Sequence, residues 1–438
     1  MAISIAIIGE FKGLYILIMT GLYEGGYGII VGRDFLKEWK FRAKVQSPKG
    51  EPNTITKFKV IGIIGIMMVG FLFSFAWTFD TRTAIRFSVS EQTMQDKELV
   101  LYWVRQDLED PQAFVDVLSE TNTVLALQGN PDLFQEIGDY TIKGASAAYL
   151  VQLCNLAGVK VEIWPVPSQN YRCALSMRDV DCMPVVYEMF SAWKTKYNLT
   201  IDYYAFDIED SQSLHFENST FGSLISPEQP LYWTFRGIYE HAAGQEFIRN
   251  ERANWTTQLS KQQALIDRIR ADGIIPRATI QPLVWDALDG DFDEFVINNM
   301  QSYEISGYDY LSGMYYRSCE WGNNDSTYLI YRSMKMLNAV SPYGKSAICL
   351  GCIGYPAYQT KEDIANDVWL SVGIGADSVR LFLGDSWVYR ESTEAAGIES
   401  LREMLTLCRN GGTGTTTYTS SNELSILEIV INDIINEL

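Results

Sequence analysis

From Lys97 onward, runs rich in β-branched and aromatic residues alternate with stretches that return an apolar residue every three or four positions. The strand-like runs are 98–105, 123–128, 159–166, 199–208, 274–283, 305–316, 345–355 and 376–384. Helical patterns follow them at 110–120, up to Ala157, and near 183–197, 291–300, 325–339, 361–373 and 394–409, with a long segment from 211 to Ala271 after the fourth strand. Eight strands in strict βα alternation over about 310 residues predict an α/β fold, a (β/α)8 TIM barrel. A doubly wound sheet is the competing arrangement, but no glycine-rich phosphate loop follows the first strand.

The pattern before residue 97 is different. Residues 60–79, "VIGIIGIMMVGFLFSFAWTF", carry no charge, which suits a helix crossing a hydrocarbon layer of about 30 Å. Residues 2–32 are apolar but include Glu10, Lys12 and Glu24, and read as a first span, a hairpin or an interfacial helix. Between them, Arg33, Lys37, Lys40, Arg42, Lys44, Lys49, Lys57 and Lys59 outnumber Asp34, Glu38 and Glu51. The positive-inside rule keeps this loop, 33–59, in the cytoplasm and puts everything after Phe79 outside. The expected organisation is a membrane anchor at 1–79, a linker at 80–96, the barrel at 97–409, and a linker plus terminal helix at 410–438. In that last segment Ile426, Leu427, Val430, Ile434 and Ile435 make an apolar stripe that suits docking on the barrel or a membrane-protein partner.

The net charge of −19 argues against a nucleic-acid partner, which needs a basic surface. His215 and His241 are the only histidines and neither falls at a strand end, which disfavours His-based triads and zinc sites; no metal or cofactor is expected. Among the seven cysteines, Cys173 and Cys182 flank a short loop and suit one bridge, whereas Cys349 and Cys352 read as core positions of a buried strand.

In a parallel barrel the chemistry sits where strands end. Those positions hold Trp103, Arg105, Gln128, Trp164, Asp207, Glu209, Gln281, Trp285, Tyr316, Arg317, Tyr355, Asp385 and Trp387. Flat rings with polar tips stack on sugars, and carboxylates supply acid–base catalysis at a glycosidic bond. The sharpest feature is "IDYYAFDIED" (201–210), where strand alternation puts Asp207 and Glu209 on one face. Two like charges there are costly unless a proton, a cation or a substrate offsets them.

The order of motifs resembles glycoside hydrolase family 18, the chitinase-like barrels. Asp202, Ala205, Asp207 and Glu209 occupy the frame of the family's D-x-x-D-x-D-x-E motif, with Ala205 in place of the inner acid. Met314 and Tyr316 match its M-x-Y-D motif, with Arg317 replacing the acid, and Tyr355 and Trp387 fall where the last two strands carry aromatics. The resemblance implies Glu209 as the general acid, Asp207 orienting a 2-acetamido group, and Tyr316 hydrogen-bonding it. Trp103, Trp164, Asp202, Gln281, Trp285, Met314, Arg317, Tyr355, Asp385 and Trp387 are expected to bind substrate. Asp309 and Asp385 are weighed as opposing acids across the mouth. The expected protein is therefore a membrane-anchored, extracellular glycoside hydrolase acting on surface glycan. The alternative is an inactive glycan-binding or structural subunit, which Ala205 and Arg317 would suit.

Overall fold

A computed structural model of the chain describes residues 10–11, 14–15, 20–23, 26–29, 83–166, 181–208, 257, 259–280, 307–315, 327–340, 345–351, 360–382 and 384–418. The chain divides into two units, Met1–Phe75 and Ala76–Leu438. In the first, β1 (Glu10–Phe11) pairs antiparallel with β2 (Leu14–Tyr15), and β3 (Thr20–Tyr23) with β4 (Gly26–Ile29). These positions form strands where a first helical span was one expectation; Gly13, Gly21, Gly26 and Gly28 are poor helix formers. The span at 60–79 and the basic loop lie outside the described residues. Among the described residues no helix is long and apolar enough to cross a membrane.

The second unit is the barrel. After β5 (Thr83–Val89) come β6 (Glu98–Trp103), β7 (Thr123–Gly129), β8 (Val161–Pro165), β9 (Tyr203–Ile208), β10 (Ile275–Ile280), β11 (Leu311–Tyr315), β12 (Ala347–Leu350) and β13 (Ser378–Leu381). All eight from β6 to β13 are parallel, and β13 closes on β6 through Ser378↔Glu98 and Arg380↔Val100. The strands are buried on both faces, so they read as nearly continuous apolar runs. Several are shorter than the periodicity predicts: the fourth begins at Tyr203, not Leu199, and the sixth at Leu311.

Local chemistry sets the helix boundaries. Pro111–Glu120 starts on Asp110, whose carboxylate accepts from Ala113 N at 3.0 Å, and Pro131–Gln135 starts on Asn130. Thr360 and Asp363 form a capping box at the start of Lys361–Ile374. Tyr140–Ala157 ends on Gly158 at φ +73°, a conformation that favours glycine. The expected helix near 291–300 lies outside the described residues, as does the terminal helix after 418.

Both segments read as linkers are part of the folded wall. Residues 83–89 and β14 (Gly412–Tyr418) form an antiparallel pair, Val89↔Gly412 through Thr83↔Tyr418, and the helix Glu91–Gln95 follows the first strand. The Gly/Thr composition of 410–418 suggests flexibility, but threonine is β-branched and the glycines permit close approach. Asn366 Oδ1 accepts from Thr415 N at 2.8 Å, and a Cβ on Gly414 would lie 2.1 Å from Leu370 N. Gly414→Ala is therefore expected to destabilise the unit by about 1–3 kcal/mol through overpacking. Thermal unfolding should show a drop of several degrees, whereas exposed Thr413→Ala should leave the midpoint almost unchanged; equal midpoints would mean that β14 is not docked.

Candidate active site

The lumen is filled in two chemically distinct zones. Toward the N-terminal ends of the strands, Glu98, Glu162, Arg277 and Arg380 come together with Tyr203, Tyr310 and Ser378. Arg277 Nη2 lies 2.8 Å from Glu98 and 3.4 Å from Asp309, and its Nη1 lies 3.3 Å from Glu162. Its guanidinium stacks on Tyr203 at 3.3 Å. Arg380 pairs with Glu162, and both are fully buried. Tyr310 OH accepts from Arg380 at 3.2 Å and donates to Glu98 at 3.0 Å. Burial alone would raise the Glu98 pKa, but the charge and hydrogen bond of Arg277, with help from Arg380 and Tyr310, hold it below the usual carboxylate value. The sequence signal for this layer is one charge inside each of several apolar strands, as in "VEIWP" and "SVRL".

Above it, toward the C-terminal mouth, the lumen is apolar. Val100, Val124, Ala126, Ala205, Met314 and Cys349 pack together, topped by Tyr102, Trp164 and Phe382. Those three rings meet edge to face at 5.0 to 5.6 Å. Tyr102 OH hydrogen-bonds Thr279 Oγ1 at 3.0 Å. Thr279 is in register with Asp207, the next-to-last residue of β9 before the mouth. Ala205, the position that holds an acid in the resembled motif, is buried in this apolar cluster, where an ionised carboxylate would be costly.

At the rim, Asp385 follows β13 near the Arg105 charge that follows β6. Burial raises the Asp385 pKa, opposed by backbone N–H donors of Asp385 and Ser386 and by Arg105. One carboxylate oxygen, Oδ1, is buried with no hydrogen-bond partner among the described residues. Arg105 itself stacks on Tyr389 at 4.0 Å, and Tyr389 OH donates to Glu394 at 3.0 Å. A carboxyl whose folded pKa lies above its unfolded value near 3.9 favours the fold at low pH and loses that advantage as pH rises through the raised value. Asp385→Asn is thus expected to unfold at the same temperature as the parent at pH 3 and at a higher temperature at pH 7. A constant offset across that range would rule out the buried-acid account.

The lumen-facing Trp164 and the rim residue Asp385 are brought to the mouth, with Met314 one layer beneath. Other expected site residues stand elsewhere. Trp103 points away from the lumen and packs on Phe114, ring centroids 4.3 Å apart, because it is one residue out of phase with lumen-facing Tyr102. Trp387 is buried in the helical layer, donates from Nε1 to Ser400 at 3.2 Å and is covered by Arg390. Asp202 lies at the opposite end of the barrel, accepting from Val161 N at 2.9 Å. Asp309 is there too, bound to Lys345 and Arg277, so it is no partner across the mouth. Glu209, Gln281, Trp285, Tyr316, Arg317 and Tyr355 lie outside the described residues, and only the backbone position of Asp207 is described. Sequence reading missed Tyr102, Thr279 and Phe382, which alternation along their own strands from the inward charges Glu98, Arg277 and Arg380 would have found.

Cys182 is disulfide-bonded, and Cys173 lies outside the described residues. Among the described residues no cluster of three or more His, Cys, Asp or Glu side chains is placed to hold a metal.

No protein-family model and no curated protein matches the chain. Solved structures similar to it include an endo-β-1,4-mannanase from Thermotoga petrophila, 10% identical over 73% of this chain and 78% of that one, TM-score 0.44. A glycoside hydrolase family 5 enzyme from Prevotella bryantii is 8% identical over 74% and 100% of the two chains, TM-score 0.40. An aldolase from Escherichia coli is 9% identical over 73% and 92%, TM-score 0.33.

Proposed function

We propose that the protein is a membrane-anchored, outward-facing barrel that acts on N-acetylhexosamine-containing surface glycan. Glu209 serves as the general acid, Asp207 orients the 2-acetamido group and Tyr316 hydrogen-bonds it. The observation that supports the reading is β9: it is a barrel strand, Tyr203–Ile208, with Asp207 next to last, so the end of the strand that carries this carboxylate is the C-terminal one, where such barrels place their chemistry. Trp164, with Phe382 and Tyr102, supplies an aromatic floor suited to an apolar sugar face. The uncharged stretch 60–79 and the basic stretch before it support the anchor and its orientation.

A second reading, a glycan-binding subunit without turnover, is favoured by Ala205. The lumen beneath Asp207 holds no acid on β9 with which it could share a proton. The two readings separate when the detergent-solubilised full chain is incubated with N-acetylhexosamine oligosaccharides and both reducing-end release and binding are measured. Release supports hydrolysis. Binding without release supports the second reading, and neither binding nor release removes both.

A further inference from the structure

The helix Tyr140–Ala157 is apolar on two sides. Its inner side buries Gly144, Ala147, Ala148, Leu150, Val151, Leu153 and Cys154. Trp193 Nε1 donates to Gly144 O at 3.2 Å and Gln152 Nε2 to Tyr197 O at 3.0 Å, so the helix is firmly seated. On its other side Ile142 is 78% exposed, Tyr149 53% and Leu156 86%. These three recur every seven residues, a period at which an α-helix drifts by only about 20°, so they form one ridge roughly 20 Å long. Ala145 is exposed between the first two. A helix apolar all round is normally a buried one.

We propose that this ridge is the contact of a twofold homodimer, with two copies of Tyr140–Ala157 packed antiparallel and Tyr149 at the axis. An isologous contact requires a patch that matches itself under a half-turn. The ridge does: seven residues separate Tyr149 from Ile142 on one side and from Leu156 on the other, so Ile142 of one copy meets Leu156 of the second. Small, exposed Ala145 on the flank of the ridge lets the two backbones approach there, as interlocking helices require. Charge points to the same helix. The chain carries 54 acidic against 35 basic side chains, and two copies repel each other over most of their surface. This helix has no acidic residue and one lysine, Lys143, so the contact itself sets no like charges of the dominant sign face to face.

The area sets the class of interface, a small and reversible one. The three side chains offer on the order of 400 Å² of surface, and with their polar flanks about 600 Å² per copy, near the lower edge of specific interfaces, which bury about 800 Å² per partner. A reversible dimer with a dissociation constant of about 1–100 µM is expected. It should tighten when salt rises from about 50 to 300 mM, because screening relieves the repulsion of the acidic surfaces while the apolar contact is unaffected.

The test uses the full chain in detergent. Sedimentation equilibrium should show monomer and dimer exchanging in the stated range. Leu156→Glu, at a position already exposed, should weaken association at least tenfold and leave the unfolding temperature unchanged. Tyr149→Cys should crosslink to itself under oxidising conditions faster than Lys335→Cys, an exposed control on another helix. A monomer throughout the range, association that persists in Leu156→Glu, or crosslinking no faster than the control would each overturn the proposal; persistence in Leu156→Glu would mean that another surface joins the copies.

Discussion

Replacing Arg380 with methionine is expected to bring the barrel close to unfolding. Arg380 and Glu162 are both fully buried and paired, and Arg380 also donates to Tyr310 OH and lies over the Tyr102 ring at 4.9 Å. Without the guanidinium, Glu162 keeps, among the described residues, a single cation, Arg277 at 3.3 Å, which must also serve Glu98 and Asp309. Tyr310, still donating to Glu98, loses the donor to its own oxygen. Removing one partner of a buried ion pair costs about 3–5 kcal/mol, because the other charge stays desolvated. Set against a domain stability of about 5–15 kcal/mol, the loss is a large share. Urea titration of parent and variant should show it as a lower midpoint at similar slope. Arg380→Met combined with Glu162→Leu removes both charges and should recover part of the loss. A single-variant cost below about 1 kcal/mol would mean that water or a shift of Arg277 compensates the buried charge left on Glu162.

That charged layer also shows where sequence reading succeeds and where it stops. The barrel was legible because each strand must be apolar on both faces and each helix on one, and the two periods alternate eight times. The end strand at 412–418 was not, since "GTGTTTY" lacks large apolar residues; its glycines are selected by the closeness of Leu370 and Trp369, which only the fold reveals. Trp103 and Trp164 illustrate the same limit at the site. Both end strands and both are tryptophans, yet a shift of one residue in phase sends one into the helical layer and the other into the lumen. Asp202 fell at the wrong end because a motif spacing was followed past the start of the strand: β9 begins at Tyr203, and the residue before it belongs to the opposite mouth.

Glu209→Gln is expected to abolish glycan hydrolysis while sparing binding. A glutamic acid that protonates the leaving oxygen contributes about 10²–10⁴-fold to the rate, and glutamine retains its shape and hydrogen bonding but has no proton to give. Asp207→Asn should act differently. Its proposed part is to hold the acetamido group in line for attack, so the variant should lose rate and also weaken binding of acetylated sugars relative to their deacetylated counterparts. The pH dependence separates the two further: in the proposed mechanism activity falls on the alkaline side as the general acid loses its proton, a limb that Glu209→Gln should abolish and Asp207→Asn should keep. Substrates with a good leaving group need little protonation, so they should rescue Glu209→Gln and leave Asp207→Asn impaired. Rates unchanged in Glu209→Gln, on a substrate that the parent cleaves, would move the acid elsewhere on the rim, and Asp385, whose pKa burial already raises, is the group to substitute next.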